Sequence, residues 1–153
     1  MQEKGTRPIQ VKRKWKSIAF INKNKVMKSF TDIEQSKKLT EILPIESADM
    51  HYVRKTHDFM GNPVDGEWSH PKYGNPNSKH ANYIIQNFET LEKIPCWSLA
   101  ALLSVIPSGK ALIHDKGNRG YKCICNNIDT YFYDNPIDAC YEMILKLKEN
   151  NLL

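Results

Sequence analysis

Residues 110–149 read KALIHDKGNRGYKCICNNIDTYFYDNPIDACYEMILKLKE, and this run carries two periodicities in succession. From Lys110 to Asp134 the pattern has a period of two, so KALIHD, YKCICNN and IDTYFYD are predicted as three strands. Gly117–Gly120 and Asn126-Asn127 supply the connections, because glycine and asparagine accept the backbone angles of tight turns. At Asn135 the period becomes helical. Asn135 is a predicted N-cap, Pro136 suits the first helical position, and Asp138 sets negative charge in the first turn. Ile137, Cys140, Met143, Ile144 and Leu147 then fall on one face, with Lys146 and Lys148 near the negative end of the helix dipole. A block of antiparallel strands beside separate helices indicates an α+β fold.

Working back toward the N-terminus, a helix is predicted to open at Pro95-Cys96-Trp97-Ser98. Pro95 is assigned to its first turn, Leu99, Leu102, Leu103 and Ile106 to the core, and Pro107 to its end. It is apolar nearly all round and is expected to be the most buried element. Another helix is predicted at 78–88, where Ser78 can cap and Ala81, Ile84, Ile85 and Phe88 recur at helical spacing. The first helix should open at Thr31 and Glu34, which have capping-box spacing, and stop at Pro44. ESADMHYV comes next as a short strand. Upstream, residues 1–14 read as a basic arm. Trp15, Ile18, Phe20, Val26 and Phe30 flank the polar turn Asn22-Lys23-Asn24 as a candidate hairpin. The expected architecture is a basic arm or hairpin over 1–30, then a single α+β domain over 31–153. In that domain three or four helices pack on a small antiparallel sheet.

Composition narrows the class. At 153 residues with 41% hydrophobic and 25% charged, the chain has the make-up of one globular domain. The longest apolar run, Trp97 to Ile106, is interrupted by Ser98 and Ser104 and falls well short of the roughly 20 residues of a membrane helix. No apolar leader comes after the basic start, so a cytoplasmic location is expected. Cys96, Cys123, Cys125 and Cys140 form no C-x-x-C pair and lie in apolar contexts, which predicts free buried thiols. Residues 1–30 carry nine Lys/Arg against one acid, Glu3, a net of +8. Residues 31–153 carry thirteen against sixteen, a net of −3. A basic head on a mildly acidic body favours contact with a polyanion.

The middle, HYVRKTHDFMGNPVDGEWSHPKYGNPNSKHANY (51–83), fits neither period and is rich in side chains that bind things. Arg54 and Lys55 can pair with a phosphate, His51, His57 and His70 can donate to it, and Tyr52, Trp68 or Tyr73 can stack on a flat ring. These eight residues are the expected ligand site. A metal is not expected, since the histidine spacings match no standard ligand set and H-E-x-x-H is absent. Catalysis is not expected either. Ser69-His70 and His57-Asp58 are neighbours in sequence, which is not triad geometry, and no cofactor motif is present. Lys12, Arg13, Lys14, Trp15 and Lys16 form a second candidate, a salt-sensitive and sequence-blind contact with nucleic acid.

Three segments also carry a resemblance. EQSKKLTEILPIESADM (34–50), IPCWSLAALLSVIP (94–107) and DNPIDACYEMILKLKENNLL (134–153), in this order, resemble a group of small phage- and prophage-borne proteins of gut bacteria. The resemblance implies a protein made in the host cytoplasm during phage growth. It carries no activity and no catalytic residue with it. Together these readings lead to the expectation of a non-enzymatic binding protein. It would sequester a small anionic, nucleotide-like ligand or a host defence factor, with no membrane and with self-association as an option. The alternative is a nucleic-acid-associated accessory protein using the basic head.

Overall fold

The structure is a computed structural model and describes residues 27–58, 60–75, 91–115 and 120–153. The predicted helix at 78–88, the turn at 117–119, and the arm and most of the hairpin over 1–30 lie outside these residues. The described chain is an α+β domain of three helices and two antiparallel three-stranded sheets. Strands β1 (Met50–Lys55), β2 (Lys72–Tyr73) and β3 (Leu91–Cys96) form one sheet in the order β2-β1-β3. Strands β4 (Ala111–Asp115), β5 (Gly120–Cys125) and β6 (Ile128–Asp129) form the other in sequence order. One small sheet was expected, and two are present.

Helix α1 (Ile33–Thr40) starts one residue later than the Thr31 signal implied. Asp32 is the cap: Gln35 N–H donates to its carboxylate at 2.9 Å, and Asp32 N–H donates back to Gln35 Oε1 at 3.2 Å. Thr31 does not cap, because it is wholly buried and bonded elsewhere. Its hydroxyl accepts from Trp97 N–H at 3.1 Å and meets Ser36 Oγ at 2.8 Å. The helix ends at Thr40, before Pro44, which instead opens a short 3-10 turn at Ile45–Ser47. Lys28, the last lysine of the basic head, bonds Asp32 at 2.8 Å and Asp138 at 3.1 Å.

Pro95 is not helical. It stands in β3 opposite His51, on an edge strand, where a missing N–H can face away from the ladder. Helix α2 (Leu99–Val105) is therefore shorter than predicted and is capped by Ser98, whose Oγ accepts from Ala101 N–H. Asp49 holds that cap by accepting from Ser98 N–H at 2.9 Å and from its hydroxyl.

Helix α3 (Pro136–Glu149) agrees closely with its sequence signals. Asn135 accepts from Asp138 N–H at 2.9 Å, Pro136 begins the helix, and the predicted stripe from Ile137 to Leu147 is fully buried. This helix, not α2, is the most enclosed, because it lies on β5 and also packs against α2. Its face joins Leu39, Trp97, Leu102, Ile106, Cys123 and Cys125 in the larger core. A smaller cluster of Met50, Tyr52, Ile94 and Cys96 sits on the first sheet. All four cysteines are free and buried, as expected.

Asn126 and Asn127 have φ of 49° and 64°, the left-handed pair of a two-residue hairpin, and they set the register Cys125↔Ile128. The predicted third strand breaks off early, however. Regular pairing stops at Asp129, and residues 130–132 help to build the candidate site.

Candidate functional site

The middle of the chain is ordered by β1. Asp58 closes a turn, its carboxylate accepting from Met60 N–H at 2.8 Å and Asn62 N–H at 2.9 Å. The chain then returns along β1: Val64 N–H donates to Thr56 O, Gly66 N–H to Lys55 O and Ser69 N–H to Val53 O. Gly66 is obligatory here, since a Cβ would lie 2.5 Å from Lys55 O.

This pairing employs most of the predicted ligand residues in holding the fold. Tyr52 is 6% exposed and donates its hydroxyl to Thr31 O at 2.7 Å, and burial raises its phenol well above the usual range. His51 is 7% exposed and donates Nδ1–H to Gly74 O at 2.8 Å. Arg54 lies 5.0 Å above the Trp68 ring, bonds Glu92 at 2.6 Å and reaches Asp65 at 3.7 Å. Its charge is answered by two carboxylates, so it presents little attraction to a phosphate. Trp68 packs on the small core beneath it. His57 meets its neighbour Thr56 at 3.2 Å. His70 sets its edge to Phe30, with ring centroids 5.6 Å apart. Lys55 and Tyr73 point outward, Tyr73 being 86% exposed on the edge strand β2. Of the eight, the structure brings Arg54 and Trp68 into contact and turns His51 and Tyr52 inward. The basic-head candidates Lys12, Arg13, Lys14, Trp15 and Lys16 lie outside the described residues. Among the described residues no three His, Cys, Asp or Glu side chains gather as a metal site.

A different group converges on the second sheet. Between the pair Ile124↔Asp129 and the bridge Tyr121↔Tyr133, β5 contributes Lys122 and Cys123, while the opposite strand contributes Thr130, Tyr131 and Phe132. Three residues against two is a β-bulge. Thr130 creates it. Its buried hydroxyl takes the Cys123 N–H at 2.9 Å, while its own N–H donates to Cys123 O at 3.0 Å. Gly120 allows the strand to rejoin, because a Cβ there would lie 2.9 Å from Tyr133 O and 3.2 Å from Phe132 Cβ.

The bulge pushes two aromatic rings outward, Tyr131 at 80% exposure and Phe132 at 40%. Each meets a lysine. Lys122 Nζ stands 5.7 Å from the Phe132 ring centre, and Lys146 Nζ, reaching across from α3, stands 5.3 Å from that of Tyr131. Asp129 lies between the two cations: its carboxylate pairs with Lys122 and its main-chain carbonyl accepts from Lys146 at 2.8 Å. The hydrogen bond from Lys122 holds the Asp129 carboxyl below the usual range. Lys122, Asp129, Thr130, Tyr131, Phe132 and Lys146 line an open hollow of about 350 Å³, within the span of small-ligand sites.

No family model, curated protein or solved structure matches this chain. The site therefore stands on its own geometry. Sequence reasoning passed over it because a period-two reading of TYFYD sends alternate rings to opposite faces of a sheet. The one visible signal was the run of three aromatics, Tyr131 to Tyr133, between Lys122 and Lys146. No helix among the described residues is long and apolar enough to cross a membrane.

Proposed function

We propose that the protein binds, without turning over, a small anionic ligand that carries a flat ring, such as a nucleotide, in the hollow between Lys122 and Lys146. The observation that carries this reading is the placing of two ammonium groups and two outward aromatic rings around one concavity. An exposed ring is a stacking platform, worth roughly 1–3 kcal/mol per base in single-strand binders. Each ammonium has three N–H donors, and Asp129 takes one from Lys122 and one from Lys146, leaving others for a ligand. The hollow is better suited to holding than to reacting. The Thr130 hydroxyl is buried against Cys123 and the Asp129 carboxylate is engaged by Lys122, so neither is presented as nucleophile or base. Sequestration by a phage-type accessory protein fits this arrangement.

The test is thermal denaturation of the full chain with mononucleotides, cyclic nucleotides, and short DNA and RNA, in the natural protein and in Tyr131→Ala and Phe132→Ala. A ligand at 100 times its Kd adds about 2.7 kcal/mol, a rise in Tm of roughly 5–10 °C. A nucleotide-dependent rise that both substitutions remove supports the proposal. A flat response to every nucleotide overturns it and turns attention to a host protein. A rise with DNA or RNA that survives both substitutions favours the second reading, binding through the +8 head of residues 1–30.

A further inference from the structure

Asp129 occupies an unusual position, because one residue answers both cations of the hollow, one with its carboxylate and one with its main-chain oxygen. The two members of the Lys122–Asp129 pair are not equally free. The Lys122 side chain is 23% exposed and is held beside the Phe132 ring, whereas the Asp129 side chain is 60% exposed at the rim. The acid can swing into water at small cost, since an ion pair at an exposed rim contributes little. The lysine cannot leave so readily. The movable member of the pair is therefore the anion.

We infer that Asp129 is a resident counter-ion of the hollow, displaced by the ligand, and that the ligand is a phosphate ester whose oxygens meet Lys122 and Lys146 together. This rests on the binding reading above and names its ligand class. A single carboxylate that displaced Asp129 from Lys122 would break one carboxylate–lysine pair to make another, with no net gain in pairing at that lysine. A phosphate monoester carries close to two negative charges at neutral pH and three acceptor oxygens. It can replace Asp129 on Lys122 and engage Lys146 in the same pose, while its ring lies against Tyr131 or Phe132. The built-in acid thus competes with any anion for Lys122, and a ligand that also brings a second charge to Lys146 gains most by displacing it.

Titration calorimetry of the full chain with phenyl phosphate and with benzoate tests this, because the two probes share a ring and differ in head group. Phenyl phosphate is expected to bind roughly tenfold more tightly, the worth of an added charge-assisted hydrogen bond. Removing the competitor in Asp129→Asn should tighten phenyl phosphate about threefold and leave the preference over benzoate in place. Asp129→Ser serves as a second variant should the amide find a new partner, and the comparison of probes in the natural protein needs no variant at all. Equal binding of the two probes, or weaker phosphate binding in folded Asp129→Asn and Asp129→Ser, overturns the counter-ion inference while leaving ring-anion binding intact. Failure of both probes to bind any of the three proteins removes the proposed function itself.

Discussion

Two hairpins of this molecule carry similar side chains and put them to different uses. In the first, β1 and its return through 63–73, His51 and Tyr52 turn inward onto backbone carbonyls, and Arg54 lies over Trp68 with its charge answered by carboxylates. In the second, β5 and the segment 128–133, the ladder breaks at a bulge and its lysines and rings are left at the surface. The lesson is that residue chemistry alone does not mark a site. A tyrosine or an arginine that must satisfy a buried carbonyl or answer a neighbouring acid is already employed. On the proposed reading, recognition falls to the groups that the fold places without consuming.

Substitutions can break this contrast or sharpen it. Gly66→Val should have the largest effect on stability, a loss of about 3 kcal/mol, because its Cβ would meet the Lys55 carbonyl at 2.5 Å and force the return segment from β1. Urea denaturation measures the loss, and hydrogen exchange at Ser69 and Val64 would show the segment opening. Gly120→Ala should cost about 2 kcal/mol, since the strand that rejoins after the bulge approaches to 2.9 Å. Unlike Gly66→Val, it should also disturb ligand binding, and a variant that binds normally would break the link between bulge and site. Arg54→Ala should lower stability by about 1 kcal/mol through its lost carboxylate and Trp68 contacts, with ligand affinity unchanged by calorimetry. Tyr131→Ala inverts that result: stability should stay within about 0.5 kcal/mol, because the ring is 80% exposed, while binding is lost. If Arg54→Ala rather than Tyr131→Ala abolished binding, the roles of the two hairpins would be exchanged.

The sequence was most informative where local signals were strong and redundant. Helix α3 has a capping asparagine, a proline at its first position and a complete apolar stripe, and each agrees with the others. The Asn126-Asn127 turn likewise needs only its own two residues to set the hairpin register. Pro95 was misread because a proline suits both the first turn of a helix and an edge strand, and only the pairing of β3 with β1 decides between them. Thr31 was misread as a cap because its burial against Trp97 and Ser36 is a tertiary fact. The candidate site was hidden for a similar reason. A bulge made by one threonine hydroxyl leaves no periodic trace, so Tyr131 and Phe132 looked like ordinary strand residues. The charge of Arg54 looked available until Glu92, distant in sequence, arrived opposite it.

The enclosed thiols give the molecule a chronometer of its own opening. Cys96 belongs to the small cluster on the first sheet, while Cys123, Cys125 and Cys140 belong to the larger core. All four are wholly shielded, so a thiol-alkylating reagent reaches each one only when the structure around it comes apart. Mass spectrometry of a timed labelling reaction would then count cysteines without any introduced probe. Modification of all four at one rate would mean that both sheets unfold as a single cooperative unit. Earlier modification of Cys96 would mean that the β1–β3 layer loosens first, while the sheet that bears the lysines and exposed rings stays folded.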